Sequence, residues 1–525
     1  MHVTVSNNQS VYGLTKEQKS KLKDYLTYDN PKYKQAKRYG RGRYTTIPPY
    51  LYYFIDHGEY LEVPFGVDLR EVLGDFTSDT EYKEVTVEYP DIKIELRQDQ
   101  KKAFYGFFNY ERNYSTLQNH YGIIQLPTGK GKTILAIYMA YTLKQKTLIL
   151  VHKDDLVVGW QNDIKMCFDG KVKTGLIKAK SRTVGEQITI ATVQTLSRMS
   201  EEELSQYTSQ FGMIVQDEVH HVGASTFNIV DMFSCYYKVG LSATPNRSDG
   251  LDYVFDLYYG GIVYKHEYVK EDKDILPVEV RVRESRAKYR PFVVRNDRGE
   301  YATDQFFNLY DYRVDELPSD FRPVDSFNYK DRPRVPHLVT DNAVVLDKRY
   351  KIRVCKDILN EARKGHSCLA LFTQKEHINV YYNYLKRFFP ENKIMKYYGD
   401  SKESSSVLMK RAESKEVLIT LGTLAKSTEG TNVKSWEVLF LVSSMNNEKN
   451  VEQATGRIRR TKEGKLNPVI VYDYIHPLVV GIQSHFTTRL SVYRKLKYDI
   501  NYLDNKNNVG GKKSLFSKGY NSNKN

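Results

Sequence analysis

Short apolar runs alternate with segments of helical character along most of the chain. Five such runs follow one another from residue 121 onward, and polar loops separate them. They are YGIIQL (121–126), TLILVH (147–152), ITIAT (188–192), GMIVQD (212–217) and YKVGLSAT (237–244). Runs of this length between polar loops are typical of strands that are buried on both faces of a parallel sheet. The pattern therefore predicts an α/β domain in this part of the chain.

A second series of apolar runs follows later. It consists of SCLALFT (367–373), KIMKYYG (393–399), EVLITL (416–421), VLFLV (438–442) and VIVYDYI (469–475). Strand and helix signals alternate in both series, as they do where helices cover a parallel sheet. We therefore expect two α/β domains, at residues 89–265 and 341–500.

Three other segments lack this alternation. Residues 1–88 are rich in Tyr and Lys and predict a small accessory domain. Residues 266–340 are charged and interrupted by proline, and we interpret them as an insertion or linker. Residues 501–525 form a basic end of the chain whose composition predicts a disordered tail.

The formal charge of +15, with a pI near 9.2, favours binding to polyanions such as nucleic acid. A requirement for solubility alone would also account for this charge, since charged residues make up 27% of the chain, an ordinary fraction. The four cysteines form no CxxC pair, which argues against a disulfide framework and against a zinc knuckle. No apolar run is long enough to span a membrane, and the first residues lack the pattern of a signal peptide. We expect a soluble, cytoplasmic protein without a membrane partner.

The segment QLPTGKGKT (125–133) follows a predicted strand and opens the predicted helix KTILAIYMAYTL. Backbone N–H groups of such a loop can bind phosphates at the N-terminus of a helix. Lys132 would reach the β- and γ-phosphates of a nucleotide, and the Thr133 hydroxyl would ligate Mg²⁺. A strict phosphate loop has Gly where this chain has Leu126, so a plain glycine-rich turn is the alternative.

Two carboxylates and two imidazoles lie at the end of the run GMIVQD, in DEVHH (217–221). Strand ends at the carboxyl edge of a parallel sheet face the same crevice as a phosphate loop. Asp217 can therefore hold Mg²⁺, and Glu218 can orient the attacking water. A zinc site and a pair of surface charges are the alternatives, but Cys235 is the one sulfur nearby and the carboxylates end an apolar strand. His220 can hydrogen-bond the next strand end, at GLSATP.

The segment EQATGRIRR (452–460) carries Gln453, Arg457 and Arg460 at helical spacing in the second domain. Residues three or four apart share a helix face. Guanidinium groups on such a face can contact the γ-phosphate of a nucleotide, as arginine fingers do. Taken alone, the segment is more typical of a solvated basic helix.

The joint occurrence of these motifs, in this order, resembles the superfamily 2 helicases. ELRQDQ, PTGKGKT, DEVH, SATP, TLAKSTEG and QATGRIRR are similar to the adenine-reading motif and to motifs I, II, III, V and VI of that family. LVHKDDLVVGW and DEVHHVGASTF are similar to the XPB-like branch, which includes phage helicases of the UvsW type. Residues 26–41 and 60–67 resemble the N-terminal domain of phage and bacterial members. The resemblance implies two tandem RecA-like domains that use ATP and Mg²⁺ and bind DNA.

The resemblance also implies roles for individual residues. Nucleotide contacts would come from Arg97, Gln100, Pro127, Thr128, Gly129, Lys130, Gly131, Lys132 and Thr133. Catalysis would use Lys132, Asp217, Glu218, His220, Gln453, Arg457 and Arg460, with Thr133 and Asp217 at the metal. Nucleic acid would be contacted by Lys153, Thr192, Gln194, Arg247 and Thr423, while Ser242, Thr244 and Gly430 would couple nucleotide state to movement. The chain departs from the family pattern at Gly159, Asn432 and Lys434.

These observations favour an ATP-dependent DNA helicase or translocase that acts on duplex, forked or branched DNA, and on single-stranded DNA as well, in recombination, repair or replication. An RNA helicase is an alternative, because the core motifs do not separate the two classes. The motor of a restriction complex is another alternative, although no nuclease signature is evident. A binding scaffold without ATP hydrolysis is the least consistent interpretation, because the catalytic motif residues are present. The basic, aromatic segment KRYGRGRY in the accessory domain could contact the nucleic-acid backbone and stack on bases.

Overall fold

In a computed structural model the chain forms two compact units, Met1–Glu267 and Tyr268–Asn525. Each unit contains a large, mainly parallel sheet covered by helices, so the α/β fold class with two parallel sheets is confirmed. The structure describes residues 1–38, 46–111, 119–221, 229–243, 250–267, 275–289, 291–292, 294–295, 307–308, 322–323, 337–399, 405–427, 433–479 and 481–504.

The chain begins with a small mixed sheet, which the sequence pattern did not reveal. The strands in this N-terminal segment are β1 (His2–Val5), β2 (Gln9–Tyr12), β3 (Thr27–Asp29), β4 (Tyr50–Tyr52), β5 (Ile55–Asp56), β6 (Tyr60–Val63) and β7 (Thr77–Thr80). Five of them form one sheet in the order β5-β6-β2-β1-β7, and β3 pairs with β4. The helices of this segment are Lys16–Tyr25, Pro31–Arg38 and Leu69–Leu73.

Apolar side chains join this N-terminal sheet to the rest of the first unit in one core. Val3 and Leu61 belong to the same cluster of buried residues as Phe255. The backbone N–H of Gly66 donates to the carbonyl oxygen of Leu257 at 2.8 Å, and a Cβ at Gly66 would lie 2.4 Å from the facing backbone. Only glycine fits so close an approach. Residues 1–88 therefore share their core with the segment that follows them.

Two side-chain contacts strengthen this junction. The rings of Tyr28 and Tyr253 are stacked with their centroids 3.8 Å apart. The buried Lys238 donates from Nζ to the carbonyl oxygen of Asn7 at 2.8 Å, and its ammonium lies 4.0 Å from the ring centroid of Phe65. Burial lowers the pKa of Lys238, and the negative charge of Asp231 acts in the opposite direction. The N-terminal sheet is thus attached through polar as well as apolar groups.

The large sheet of the first unit contains all five strands predicted in that part of the chain. Its strands are β8 (Tyr121–Gln125), β9 (Thr147–Val151), β10 (Gly175–Lys178), β11 (Ser181–Thr183), β12 (Ile188–Thr192), β13 (Met213–Gln216), β14 (Tyr237–Ser242) and β15 (Ile262–Lys265). Their order is β11-β10-β12-β9-β13-β14-β8-β15. The helices are Gln98–Phe108, Lys132–Leu143, Asp154–Cys167, Val193–Leu196, Glu201–Thr208 and Val254–Tyr259, with a 3₁₀ turn at Val219–His221.

The register of this sheet brings several strand ends to one edge. Gln125 lies opposite Ser242, and Gln216 lies opposite Leu150 in the parallel pairs. Because these strands run in the same direction, the loops that leave them emerge side by side. The phosphate-loop segment and the DEVHH segment therefore start from the same edge of the sheet.

The second unit contains a parallel sheet in the order β22-β23-β21-β24-β25-β16-β26. Its strands, with four two-residue strands between them in sequence, are β16 (Val278–Glu284), β17 (Pro291–Phe292), β18 (Val294–Arg295), β19 (Phe307–Asn308), β20 (Arg322–Pro323), β21 (Cys368–Phe372), β22 (Ile394–Tyr397), β23 (Ile419–Thr423), β24 (Val438–Leu441), β25 (Val469–Ile475) and β26 (Asp499–Tyr502). The helices are His337–Val345, Lys348–Arg363, Lys375–Leu385, Ser405–Glu413, Leu424–Ser427, Glu448–Ile458 and His485–Lys495, with a 3₁₀ turn at Glu391–Lys393.

Strand β16 corrects the interpretation of residues 266–340 as an insertion or linker. The strand pairs in parallel with β25 along its whole length and with β26 on its other side. Val278, Val280 and Val282 are buried, and the charged residues alternate with them. This period of two is that of a strand with one buried face, which a count of charges conceals. Most of residues 290–336 lies outside the described residues.

The boundary of the predicted tail also needs correction. Residues 499–502 form β26, and the carboxylate of Asp504 accepts the backbone N–H of Glu284 at 2.7 Å. Asp504 also forms an ion pair with Arg353. The ordered second unit therefore extends to residue 504, and residues 505–525 lie outside the described residues.

Candidate active site

The phosphate-loop segment forms a tight turn between β8 and the helix Lys132–Leu143. Gly129 and Gly131 have φ angles of 92° and 74°. This left-handed region is open to glycine and costs other residues conformational energy. Pro127 and Thr128 lie in the same turn, which directs the loop to the N-terminus of the helix. Such an N-terminus attracts the negative charge of phosphates.

A glutamine from the preceding helix holds this turn in place. Gln100 donates from Nε2 to the carbonyl oxygen of Gly131 at 2.9 Å, and its Oε1 accepts the backbone N–H of Arg97 at 2.8 Å. Gln100 is only 2% exposed, and a Cβ on Gly131 would lie 2.4 Å from its Nε2. The amide of Gln100 therefore positions the loop. Its predicted contact with adenine, and that of Arg97, stay predictions.

The two lysines of the loop have different surroundings. Lys130 is fully buried and forms an ion pair with Asp99, on the same helix as Gln100. Lys132 lies at the start of its helix, with Nζ 3.4 Å from the carbonyl oxygen of Leu126 and 3.5 Å from Glu218 Oε1. The ammonium of Lys130 thus anchors the loop, and the sequence interpretation missed this contact with Asp99. Lys132 is the lysine whose ammonium approaches the DEVHH carboxylates.

The DEVHH carboxylates follow β13 directly. The backbone N–H of Asp217 donates to the carbonyl oxygen of Leu150 at 2.9 Å, which continues the pairing of β13 with β9. Glu218 then has a φ of 48°, a left-handed conformation that is uncommon for a residue with a side chain. Strained backbone of this kind is concentrated at functional sites. At this turn the two consecutive carboxylates have different neighbours, because Asp217 contacts Trp160 and Glu218 lies near Lys132.

Asp217 is 7% exposed and has one side-chain hydrogen bond in the described structure. Its Oδ2 accepts from the indole nitrogen of Trp160 at 2.9 Å. Burial raises the pKa of Asp217, and the neighbouring charge of Glu218 raises it further, while Lys132 and the Trp160 hydrogen bond act in the opposite direction. Strongly perturbed carboxylates next to a phosphate loop are typical of active sites.

His220 connects the carboxylates with the next strand end. Its Nδ1 lies 2.7 Å from Ser242 Oγ and 3.5 Å from Glu218 Oε2. Ser242 in turn accepts, through its carbonyl oxygen, the backbone N–H of Leu126 at 3.0 Å. The predicted contact of His220 with the SATP segment is therefore present. Thr244 and Arg247, which were predicted to act in coupling and in nucleic-acid binding, lie outside the described residues, and nothing is described of the His221 side chain.

Three residues predicted to contact nucleic acid, Lys153, Thr192 and Gln194, lie at the same edge of the sheet of the first unit. Gln194 is exposed and donates from Nε2 to the carbonyl oxygen of His152 at 2.6 Å. The exposed Lys153 immediately follows His152, at the start of the helix Asp154–Cys167. Thr192 is buried, and its hydroxyl lies 2.7 Å from that of Thr195. The structure thus brings Lys153 and Gln194 together on the surface, with Thr192 beneath it.

In the second unit, Gln453 and Arg457 lie on the helix Glu448–Ile458 and are 2% and 9% exposed. Arg460 does not lie on this helix, which corrects the prediction of three residues on one helix face. The helix ends at Ile458, and Arg460 forms a β-bridge with Ile275. Beside this bridge, Arg459 donates from Nε to the carbonyl oxygen of Leu276 at 3.0 Å. Thr423 ends β23, whereas Gly430 and Asn432 lie outside the described residues.

The residues of the first unit suit a magnesium ion. Asp217 offers a buried carboxylate at the strand end, and Thr133 offers a hydroxyl in the first turn of the helix that follows the phosphate loop. Oxygen ligands of this kind, completed by water and phosphate, are those that Mg²⁺ prefers. Among the described residues, no group of three or more His, Cys, Asp and Glu side chains could hold a metal ion, so a zinc site of the kind considered above is not found there. No helix in the described part of the chain is long and apolar enough to cross a membrane.

This chain is similar in sequence to one protein family and to proteins named as helicases or translocases. Residues 93–247 match the family described as "Type III restriction enzyme, res subunit". The protein named "Putative ATP-dependent RNA helicase L396" of Acanthamoeba polyphaga mimivirus is 25% identical over 381 residues, which cover 72% of this chain and 64% of that protein. The aligned part thus spans just under two thirds of that relative. The DNA 3'-5' translocase XPB2 of Sulfurisphaera tokodaii is 25% identical over 382 residues, or 71% of this chain and 80% of that protein.

A solved structure shows the fold. The likeness is to a fragment assigned to the HsdR subunit of a type I restriction enzyme from Vibrio vulnificus YJ016, with a TM-score of 0.50 and 15% identity. It covers 80% of this chain and 68% of that one. At this identity the likeness concerns architecture alone. It agrees with two tandem RecA-like domains, each built on one of the parallel sheets described above.

Proposed function

We propose that this chain, which belongs to the superfamily 2 helicases and within them to the XPB-like branch, couples ATP hydrolysis to movement along duplex or branched DNA. The observation that carries the proposal is the grouping of Lys132, Asp217 and Glu218 at one edge of a parallel sheet, next to a glycine-rich turn at a helix N-terminus. This is the arrangement that phosphate binding and hydrolysis require.

In the proposed reaction, the turn at residues 127–131 binds the phosphates through backbone N–H groups, and Lys132 neutralises their charge. Thr133 and Asp217 would hold Mg²⁺, and the ion would supply positive charge against the negative charge of the phosphate oxygens. Glu218 orients the attacking water. Its backbone turn away from Asp217 supports this division of labour, because one carboxylate can face the metal while the other faces the water.

The contact of His220 with Ser242 suggests how hydrolysis is transmitted. The Nδ1 atom of His220 lies near both the Glu218 carboxylate and the Ser242 hydroxyl at the end of β14. We propose that loss of the γ-phosphate shifts Glu218 and, through His220, the loop that follows Ser242. Gln453, Arg457 and Arg460 would contribute to ATP hydrolysis from the second unit, with Arg457 supplying the charge of an arginine finger.

DNA is the nucleic acid along which we propose that the protein moves. The net charge of +15 favours a polyanion without distinguishing DNA from RNA. The two relatives named above are equally identical to this chain, and one is named for RNA and the other for DNA. The segments that resemble the XPB-like branch favour DNA over RNA. An RNA helicase is therefore the second candidate function.

The N-terminal sheet offers a surface that would add selectivity for branched substrates. Tyr50 and Tyr52 alternate with the half-buried Leu51 on β4, so they share one face, and they are 47% and 61% exposed. Aromatic side chains in a basic segment can stack on unpaired bases, which forks and junctions present. The neighbouring basic run at residues 39–45 lies outside the described residues.

The test compares nucleic acids at one salt concentration. We expect ATP turnover to rise most with forked DNA, less with linear duplex DNA and least with duplex RNA, and strand displacement to follow the same order. Stronger stimulation by RNA would make the protein an RNA helicase. Absence of Mg²⁺-dependent ATP turnover with every substrate would contradict the proposed activity as a whole.

A tyrosine comparison tests the N-terminal surface. The double variant Tyr50→Ala/Tyr52→Ala should weaken binding to forked DNA about tenfold or more, because stacking on one base is worth about 1–3 kcal/mol. Tyr502→Ala is the control, since Tyr502 is 41% exposed but lies on β26 of the second unit. Equal losses on forked and linear DNA would leave the N-terminal tyrosines without a role in substrate choice.

A further inference from the structure

Trp160, the last residue of the LVHKDDLVVGW segment, has no role among those assigned above, and it contacts the proposed metal ligand. Trp160 lies on the helix Asp154–Cys167, which follows β9, and Asp217 follows the adjacent strand β13. The indole Nε1 donates to Asp217 Oδ2 at 2.9 Å, and Trp160 is 2% exposed. The hydrogen bond therefore lies in the interior of the first unit, beside the phosphate loop.

Packing around this hydrogen bond restricts the orientation of the Trp160 indole. The Trp160 ring is part of a core cluster that includes Ile164 of its own helix and Val215 of β13. Packing against both elements holds the indole N–H in one direction, and Trp has no second polar atom with which to adapt. Within the described residues, no other side chain donates a hydrogen bond to the Asp217 carboxylate. One oxygen is thereby occupied, and the orientation of the other is set by the indole.

We propose that Trp160 is a positioning residue for the metal site. By holding Oδ2, it presents Oδ1 of Asp217 to Mg²⁺ and keeps the carboxylate from turning towards Lys132. This inference rests on the proposed function, because it takes Asp217 as the metal ligand. Groups that hydrogen-bond a metal ligand orient it, and their loss typically lowers metal affinity or activity about 10- to 100-fold.

The chain contains a matched control in its other tryptophan. Trp436 is 1% exposed, lies in the second unit, and donates from Nε1 to Thr420 Oγ1 at 3.3 Å. Trp160→Phe and Trp436→Phe each remove one buried indole N–H and keep an aromatic ring. A general cost of removing a buried donor should therefore be the same for both variants. An effect on the metal should be confined to Trp160→Phe.

The first measurement is ATP turnover during a titration with MgCl₂ at saturating ATP and DNA. We expect Trp160→Phe to need about 10- to 100-fold more Mg²⁺ for half-maximal turnover. Its turnover should approach that of the unaltered protein at high Mg²⁺, whereas Trp436→Phe should titrate as the unaltered protein does. Equal Mg²⁺ requirements for the two variants would overturn the proposal. Absence of Mg²⁺-dependent turnover in the unaltered protein would instead contradict the proposed function.

The second measurement does not depend on activity or on the folding of Trp160→Phe. In Trp436→Phe, Trp160 is the one remaining tryptophan, so its fluorescence reports on the hydrogen bond to Asp217. Adding MgCl₂ to this variant with a non-hydrolysable ATP analogue should change the emission, because the metal draws charge from the carboxylate that the indole contacts. Asp217→Asn in the same background should abolish the change. An identical change with and without Asp217→Asn would show that the indole senses something other than the metal ligand.

Discussion

Two buried aspartates, one in each unit, show how differently the two sheets use charge. Asp217 is 7% exposed, and its carboxylate has one described hydrogen bond, from Trp160. Asp473 on β25 is fully buried, and its two oxygens accept from Arg489 at 2.8–3.0 Å and from the Tyr493 hydroxyl at 2.7 Å. A buried carboxylate with a full set of donors holds structure, whereas one with an incomplete set is available to a ligand.

The same contrast extends to glutamates. Burial acts to raise the pKa of Glu437 in the second unit, but hydrogen bonds from the Ser367 backbone and from Lys415 hold it below its ordinary value. In the first unit, Glu218 lies 3.5 Å from the Lys132 ammonium, beyond ordinary hydrogen-bond length. Asp473 and Glu437 of the second unit thus lie in hydrogen-bonded networks. In the first unit, the charged groups of Lys132 and Glu218 lie 3.5 Å apart at the sheet edge where a nucleotide is expected.

The largest expected effect concerns the charged groups of Lys132 and Glu218 at the edge of the first sheet. Glu218→Gln should lower ATP turnover about 10²- to 10⁴-fold, the scale of a lost group that orients or deprotonates water, while the protein stays folded. Lys132→Ala should abolish turnover through loss of phosphate binding. Steady-state ATP hydrolysis and nucleotide binding separate the two variants. Near-normal turnover in Glu218→Gln would remove its assigned role.

The second prediction separates two neighbouring arginines of the second unit. Arg457→Ala should reduce turnover about 10³-fold, the scale of a lost arginine finger, with nucleotide binding largely intact. Arg459 donates to the carbonyl oxygen of Leu276 and lies over the Tyr498 ring, so it is a structural control. Arg459→Ala should lower the thermal midpoint and leave turnover per folded molecule similar. If both variants behave alike, Arg457 is also structural.

The third prediction tests the two aspartates directly. Asp473→Asn should destabilise the protein by about 3–5 kcal/mol, because it breaks a buried ion pair and leaves the Arg489 guanidinium buried without its carboxylate. Asp217→Asn should leave the free energy of unfolding unchanged or higher, because it removes a poorly solvated charge, and should abolish ATP turnover. Denaturant unfolding monitored for both variants provides the measurement. A comparable loss of stability in Asp217→Asn would erase the contrast between the two units.

The smallest expected effect concerns pH. Burial, together with the nearby Arg489, lowers the pKa of His476 from 6.5 to about 3. A histidine whose pKa is lower in the folded state favours folding above its unfolded pKa and loses that contribution as pH falls. The thermal midpoint should therefore decrease between about pH 7 and about pH 5, and His476→Phe should flatten this decrease. An unchanged pH dependence would assign it to other groups.

The central strands and the DEVHH site were accessible from the sequence because both follow a simple rule. Continuous apolar runs mark buried parallel strands, and the residues at their carboxyl ends must converge at one edge. The helix Lys132–Leu143 coincides with the predicted KTILAIYMAYTL segment, since no Gly, Pro or charged residue interrupts it after Lys132. The contact of His220 with Ser242 was also within reach, because β13 and β14 are neighbours.

The missed features depend on contacts between residues far apart in sequence. Strand β16 alternates Val with charged residues, and only its pairing with β25 shows that one face is buried. Trp160 and Asp217 are 57 residues apart, and the pairing of Lys130 with Asp99 depends on how one helix packs beside the phosphate loop. A buried Trp does require an acceptor for its N–H. The sequence alone does not identify which one.

The close seating of Gly66 against the 257–260 backbone has a consequence for biosynthesis. The N-terminal sheet leaves the ribosome before its partner segment, which is completed about 190 residues later. At about 5–20 residues per second, this interval lasts roughly 10 to 40 s. During that time the nascent chain carries exposed apolar surface and an unfinished core. Chaperone demand should therefore be greatest early in synthesis, and stalled or prematurely terminated chains should aggregate.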